Sequence, residues 1–142
     1  MPKTSTRRSA ETGEASPWVP SSKRAQQREA KRNAVLSTAA QLFNEKGFHA
    51  TSLDDIAARL HVTKPTLYYY VKNKDEILIA CVRRGLEMMH EGIEQTRLAG
   101  GSAIEQLLAC MRTYTRIVTL DFGMCVIRVG DDELPPRSRK EL

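Results

Sequence analysis

The chain has 142 residues, 41% of them hydrophobic, and a formal net charge of +5. That is enough apolar content to build a core in one ordinary domain, or one small domain and part of another, which excludes a chain disordered throughout. The charge is uneven: residues 1–25 hold five basic and two acidic side chains, residues 26–78 eight and six, and residues 79–142 nine of each. The basic excess therefore lies in the N-terminal half, as binding to a polyanion requires. Cys81, Cys110 and Cys125 form no C-x-x-C pair, and His49, His61 and His90 have no ligand-like spacing. Neither a disulfide framework nor a metal site is expected, and the thiols read as buried or half-buried in a reducing cytosol. With no membrane-length apolar run and no signal-peptide core at the N-terminus, a cytoplasmic protein without membrane contact is expected.

In chain order, residues 1–25 read as a basic disordered tail, carrying three prolines and Trp18 as its one large apolar residue. From about Lys23 the periodicity is helical, with Ala30, Ala34, Val35, Ala39, Leu42 and Phe43 on one side and Arg28, Lys31 and Arg32 on the other. Gly47 is placed to end this helix as a left-handed cap residue. Thr51 or Ser52 caps a second helix, whose first turn holds Asp54 and Asp55, carboxylates that oppose the positive end of the dipole. His61-Val62 forms a turn and Thr63 caps a third helix, with Pro65 in its first turn, where a missing N–H costs nothing.

Asn73 and Glu76 mark the start of a fourth helix with the stripe Ile77, Leu78, Cys81, Val82, Leu86 and Met89. Met88-Met89 is ordinary packing. Gly100-Gly101 breaks the chain, and a Ser102/Glu105 capping box opens a fifth helix carrying Ile104, Leu107, Leu108, Met111, Tyr114 and Val118. Residues 126–130 fit a helix end or a short extended piece, 131–136 a loop, and 137–142 the start of another helix. No strand alternation occurs, so the fold class is all-α.

Residues 52–71 have the layout of a helix-turn-helix, whose second helix lies in a major groove. On a wheel of 100° per residue, Leu67 and Val71 point toward a core shared with Ile56, Ala57, Leu60 and Val62. Lys64, Thr66, Tyr68 and Tyr69 spread over the remaining arc and are free to meet DNA. Lys64 suits guanine O6/N7 or a phosphate, Thr66 a base edge or thymine methyl, and the tyrosines a phosphate plus ring contact. Thr51 and Ser52 offer hydroxyls and backbone N–H groups to a phosphate, and Lys74 stands where it can grip another. Blander readings stay open: Tyr70 turns partly to the core, Lys74 also fits a solvated first-turn lysine, and His61 fits a surface residue.

These residues closely resemble the N-terminal domain of the tetracycline-repressor (TetR) family of bacterial regulators. The matching positions are Gly47-Phe48, Thr51-Ser52, Ile56-Ala57, Val62-Thr63-Lys64, Thr66-Leu67-Tyr68, Tyr70-Val71, Lys74 and Ile77-Leu78. Departures are Leu60-His61 where Ala-Gly is usual, and Pro65 where Gly is common. The resemblance implies a DNA-binding domain over 26–78, with Thr51, Ser52, Thr63, Lys64, Pro65, Thr66, Tyr68, Tyr69, Tyr70 and Lys74 at the DNA. It implies a double-stranded palindromic operator, a homodimer held by C-terminal helices, and a repressor released by a small-molecule effector. Residues 79–142 are expected to be an incomplete part of that helical ligand and dimer region. A competing reading is a ligand- or thiol-sensing helical module that has lost DNA binding. No convergent set of acid, base and nucleophile suggests an enzyme, and no cofactor is implied.

Overall fold

The computed structural model describes residues 22–130, which form six helices: α1 Ser22–Lys46, α2 Leu53–Arg59, α3 Lys64–Tyr68, α4 Lys74–Ala99, α5 Ala103–Val118 and α6 Asp121–Arg128. The described residues contain no strand, and none of their helices is long and apolar enough to cross a membrane. The all-α expectation holds. The expected tail over 1–21, with Trp18, and the expected loop and helix over 131–142 lie outside the described residues. Residues 22–25, expected to belong to the tail, are instead helical and open α1.

Local chemistry sets the boundaries. Gly47 adopts φ +88 and its N–H donates to the Phe43 carbonyl at 2.9 Å, closing α1 in a conformation that a side chain would strain. Ser52 and Asp55 form a complete capping box on α2, as Ser102 and Glu105 do on α5. Asn73 accepts from the Glu76 N–H to start α4. Glu76 does not return the bond to Asn73; its carboxylate accepts from Lys72 N–H at 2.8 Å instead.

One core joins the first four helices to α6. It contains Val35, Leu36, Ala39, Ala40, Leu42 and Phe43 of α1, Phe48, Ile56, Leu67, Val71, then Ile77, Leu78, Cys81 and Val82 of α4, and Cys125 of α6. Ala30 and Ala34 are exposed, so the buried face of α1 begins at Val35 and its first three turns stand clear of that core. Phe43 and Phe48 meet edge to face at 5.3 Å, packing the α1–α2 loop. α6 is latched to α1 by polar groups: Gln41 donates to the Asp121 carboxylate at 3.1 Å and Asn44 to the Asp121 carbonyl at 2.9 Å. Gly85 lets α4 approach α6 closely, since a Cβ there would strike the Phe122 carbonyl oxygen. Cys81 and Cys125 are buried and Cys110 is half-buried, all free. The hydrogen bond with the neighbouring Cys125 thiol, and then burial, push the Cys81 thiol well above its ordinary range.

Candidate nucleic-acid interface

α3 has only five residues, too few to persist unaided. Leu67, fully buried, pins it to the core, and Val71 pins the segment after it. Thr63 caps it, its hydroxyl accepting from the Thr66 N–H at 3.4 Å, with Pro65 in the first turn. What remains outward is Thr63, Lys64, Pro65, Tyr68 at 50% exposure and Tyr69 at 76%, with Thr66 half-buried beside them. Tyr70 is partly buried against the core, in line with its divided reading.

The turn between α2 and α3 is held by backbone. His61 takes φ +55, its N–H donates to Ala58, and the Val62 N–H returns to the Ala57 carbonyl at 3.0 Å. This closure turns the Val62 side chain outward to 39% exposure, so Val62 does not belong to the core. Ile56, Ala57, Leu67 and Val71 do belong to it, and Leu60 packs against it half-buried.

Three expected phosphate contacts are otherwise engaged. Thr51 is 1% exposed, and its hydroxyl donates to the Gly47 carbonyl at 2.8 Å and the Leu42 carbonyl at 3.3 Å, so it ties the loop to α1 and offers DNA nothing. The Ser52 hydroxyl accepts from Asp55 N–H and donates to the Asp55 carboxylate at 2.7 Å. That bond, with a second from Ser52 N–H, holds the Asp55 carboxyl down to about 2. A carboxylate therefore already fills the N-terminus of α2. Lys74 places its ammonium 2.8 Å from the Phe48 carbonyl, 3.0 Å from that of Thr51 and 3.5 Å from that of His49. Its three donors are spent on the α1–α2 loop, so it positions the motif from within.

Lys64 is exposed but paired, its Nζ 2.8 Å from the Asp54 carboxylate. The hydrogen bond to Asp54 raises its pKa. Arg59 is likewise bound to Glu45 at 2.9 Å, and Lys46 to Asp55 at 3.4 Å. These pairs fasten α2 to its neighbours on either side.

A second feature escaped the sequence reading. One face of the first turns of α1, bearing Arg24, Gln27, Arg28 and Lys31, stands across an open cleft of about 430 Å³ from Tyr69 and Tyr70. Separations of three and four residues, from 24 to 27 and 28 and from these to 31, are the helical signal for it.

Residues 35–81 match the family described as bacterial regulatory proteins, tetR family. The HTH-type transcriptional activator FasR of Mycolicibacterium smegmatis is 28% identical over 94 residues, 66% of this chain and 43% of FasR. The Transposon Tn10 TetC protein of Escherichia coli is 38% identical over 76 residues, 52% of this chain and 39% of that protein. The chain thus spans about two fifths of the length of these curated relatives. Among solved structures, that of AibR in complex with isovaleryl coenzyme A and operator DNA is similar with a TM-score of 0.69 and 28% identity, covering 78% of this chain and 61% of that one.

Proposed function

We propose that this chain, which belongs to the TetR family of bacterial regulatory proteins through residues 35–81, is a sequence-specific DNA-binding regulator of transcription. The observation that carries the reading is α3: a five-residue helix that buries Leu67 and leaves Lys64 and Tyr68 outward around Thr66, with Tyr69 exposed at its C-cap. Such a helix enters a major groove, where base edges distinguish all four pairs. Thr66, Tyr68 and Tyr69 read bases, and Lys64 joins them by exchanging Asp54 for a phosphate or guanine. Thr63 and Pro65 set the N-terminal edge of that surface. Ser52, Thr51 and Lys74 act behind it by fixing the loop and the start of α2.

The finer reading is a homodimer on a palindromic operator, repressing by occupying DNA that polymerase needs. A small-molecule effector releases it. Support comes from AibR, whose structure contains both operator DNA and isovaleryl coenzyme A. α4 runs from Lys74 beside the motif to Ala99, about 39 Å at 1.5 Å per residue, so a shift at its far half reaches α3. The role assigned is binding, with no catalytic step.

The test is selection of duplexes by this chain from a random-sequence pool, repeated with Thr66→Ala and Tyr69→Ala. Enrichment of a defined sequence, altered at particular bases by either substitution, is expected. Absence of any enriched sequence would overturn the reading in favour of a sensing module without DNA binding.

A further inference from the structure

The cations best available to DNA are not those of the motif. Lys64 is bound to Asp54 and Lys74 to three carbonyls, whereas Arg28 and Lys31 are exposed and have no ion-pair or hydrogen-bond partner among the described residues. Both line the cleft that faces Tyr69 and Tyr70, with Gln27 beside them on the same helix face. The sign of charge at helix starts points the same way. α2, α4, α5 and α6 each carry an acidic residue in the first turn, as the dipole favours. α1 and α3 carry none, and α1 opens with Lys23 and Arg24 at its positive end. A phosphate backbone along the first turns of α1 removes that conflict.

We propose that the Arg28 and Lys31 face of α1, with Tyr69 and Tyr70 opposite, is a clamp for the sugar–phosphate backbone of duplex DNA flanking the groove that α3 enters. It rests on the DNA-binding reading above and extends the interface from the helix-turn-helix onto α1. Arg28 and Lys31 each neutralise a phosphate, Gln27 donates a neutral hydrogen bond, and the tyrosine hydroxyls close the other wall. The α1 side of the clamp reads no base. Its contribution is electrostatic, and it sets the register in which α3 meets the groove.

The experiment compares the full chain with R28Q/K31Q and with the charge-preserving R28K/K31R. Each is titrated from low to high salt on the duplex enriched from the random pool and on a random-sequence duplex. Helicity and thermal midpoint are checked first; both sites are exposed, so neither should move. Each phosphate contact contributes about −0.9 to the slope of log affinity against log salt. R28Q/K31Q is expected to flatten that slope by about two on both duplexes. Between 50 and 200 mM salt the unaltered chain should then lose about tenfold more affinity than R28Q/K31Q. R28K/K31R should keep the original slope, and neither variant should change the enriched sequence. An unchanged slope in R28Q/K31Q, with Thr66→Ala still altering base preference, would overturn the clamp and leave the DNA-binding reading standing. A changed base preference in R28Q/K31Q would replace phosphate contact by base reading. No duplex binding by the unaltered chain would overturn both.

Discussion

The ammonium of Lys74 lies 4.3 Å from the centroid of the Phe48 ring while donating to the Phe48 carbonyl at 2.8 Å. One side chain at the start of α4 thus holds both the ring and the backbone carbonyl of Phe48 in the loop that joins α1 to α2. Phe48 in turn packs edge to face on Phe43 of α1, so the contact passes from α4 to the core through the loop.

Replacing Lys74 with Ala is therefore expected to cost stability before it costs DNA contact. Charge-assisted hydrogen bonds contribute about 1.5–3 kcal/mol each at most, and a partly exposed cation–π contact about 0.5–1. With Lys74 half-buried, a loss of about 2 kcal/mol and a lowered thermal midpoint are expected. The salt slope of DNA binding by the folded fraction should stay the same. A slope flattened by about one, with the midpoint unmoved, would return Lys74 to the role of a phosphate contact.

The capping box of α2 predicts an acid transition. Hydrogen bonds from the Ser52 hydroxyl and N–H hold the Asp55 carboxyl down to about 2 in the folded chain, with Lys46 adding to the effect. An unperturbed aspartate titrates near 3.9, so the folded form binds its proton less readily than the unfolded form. The stabilisation is complete above about pH 4 and is lost as pH falls toward 2. Asp55→Asn should flatten the acid limb of a stability–pH curve and change little at pH 7 beyond the lost cap. Ser52→Ala should cost about 1 kcal/mol at neutral pH and flatten the same limb. An acid limb identical in all three proteins would exclude this box as its source.

Lys64 and Asp54 make a prediction of opposite sign. Their pair is exposed, so it adds little stability, and a phosphate must displace the carboxylate before Lys64 can serve DNA. Asp54→Asn should bind duplex several-fold more tightly at low salt, because the lysine is released and a like charge is removed from the surface. Lys64→Ala should bind more weakly. Equal affinity for Asp54→Asn and the unaltered chain would show that Lys64 stays with Asp54 when DNA is bound.

What could be foreseen from sequence follows the range of the interaction. Gly47, Ser52, Thr63, Asn73 and Ser102 close bonds within four residues, and all five stand among the caps or helix ends expected from sequence, Ser52 as one of two candidates with Thr51. The expectation that Lys74 contacts DNA fails because its partners lie 23 to 26 residues away, beyond any periodicity, and that for Thr51 because one of its two carbonyl partners, Leu42, lies nine residues back on α1. Val62 was assigned to the core by its type, whereas the left-handed His61 turns it outward. The start of α6 escaped notice because Leu120 supplies no side-chain cap. The α1 cleft is not legible because its other wall, Tyr69 and Tyr70, comes from the turn after α3, about forty residues away in sequence.

The last prediction concerns association. On α5, Ile104 is 60% exposed, Leu107 55%, Leu108 44%, Met111 58% and Tyr114 54%, one stripe at helical spacing, with Ile93 of α4 at 54% beside it. Ile117 alone in that helix is buried. A leucine or isoleucine taken fully from water gains about 1.5–3 kcal/mol, so a stripe of this length favours contact with a second apolar face. The chain is expected to self-associate in a concentration-dependent way, and Leu107→Glu with Met111→Glu to shift it to monomer without loss of helicity. Two helix-turn-helix units held about one turn of DNA apart can reach both half-sites, and linking them raises affinity by roughly 10²–10⁴. The double variant should therefore lose affinity for a palindromic duplex while keeping its affinity for an isolated half-site. Sedimentation alongside DNA titration decides it: a chain monomeric at every concentration, or a variant that associates as the unaltered chain does, would remove α5 as the dimer face.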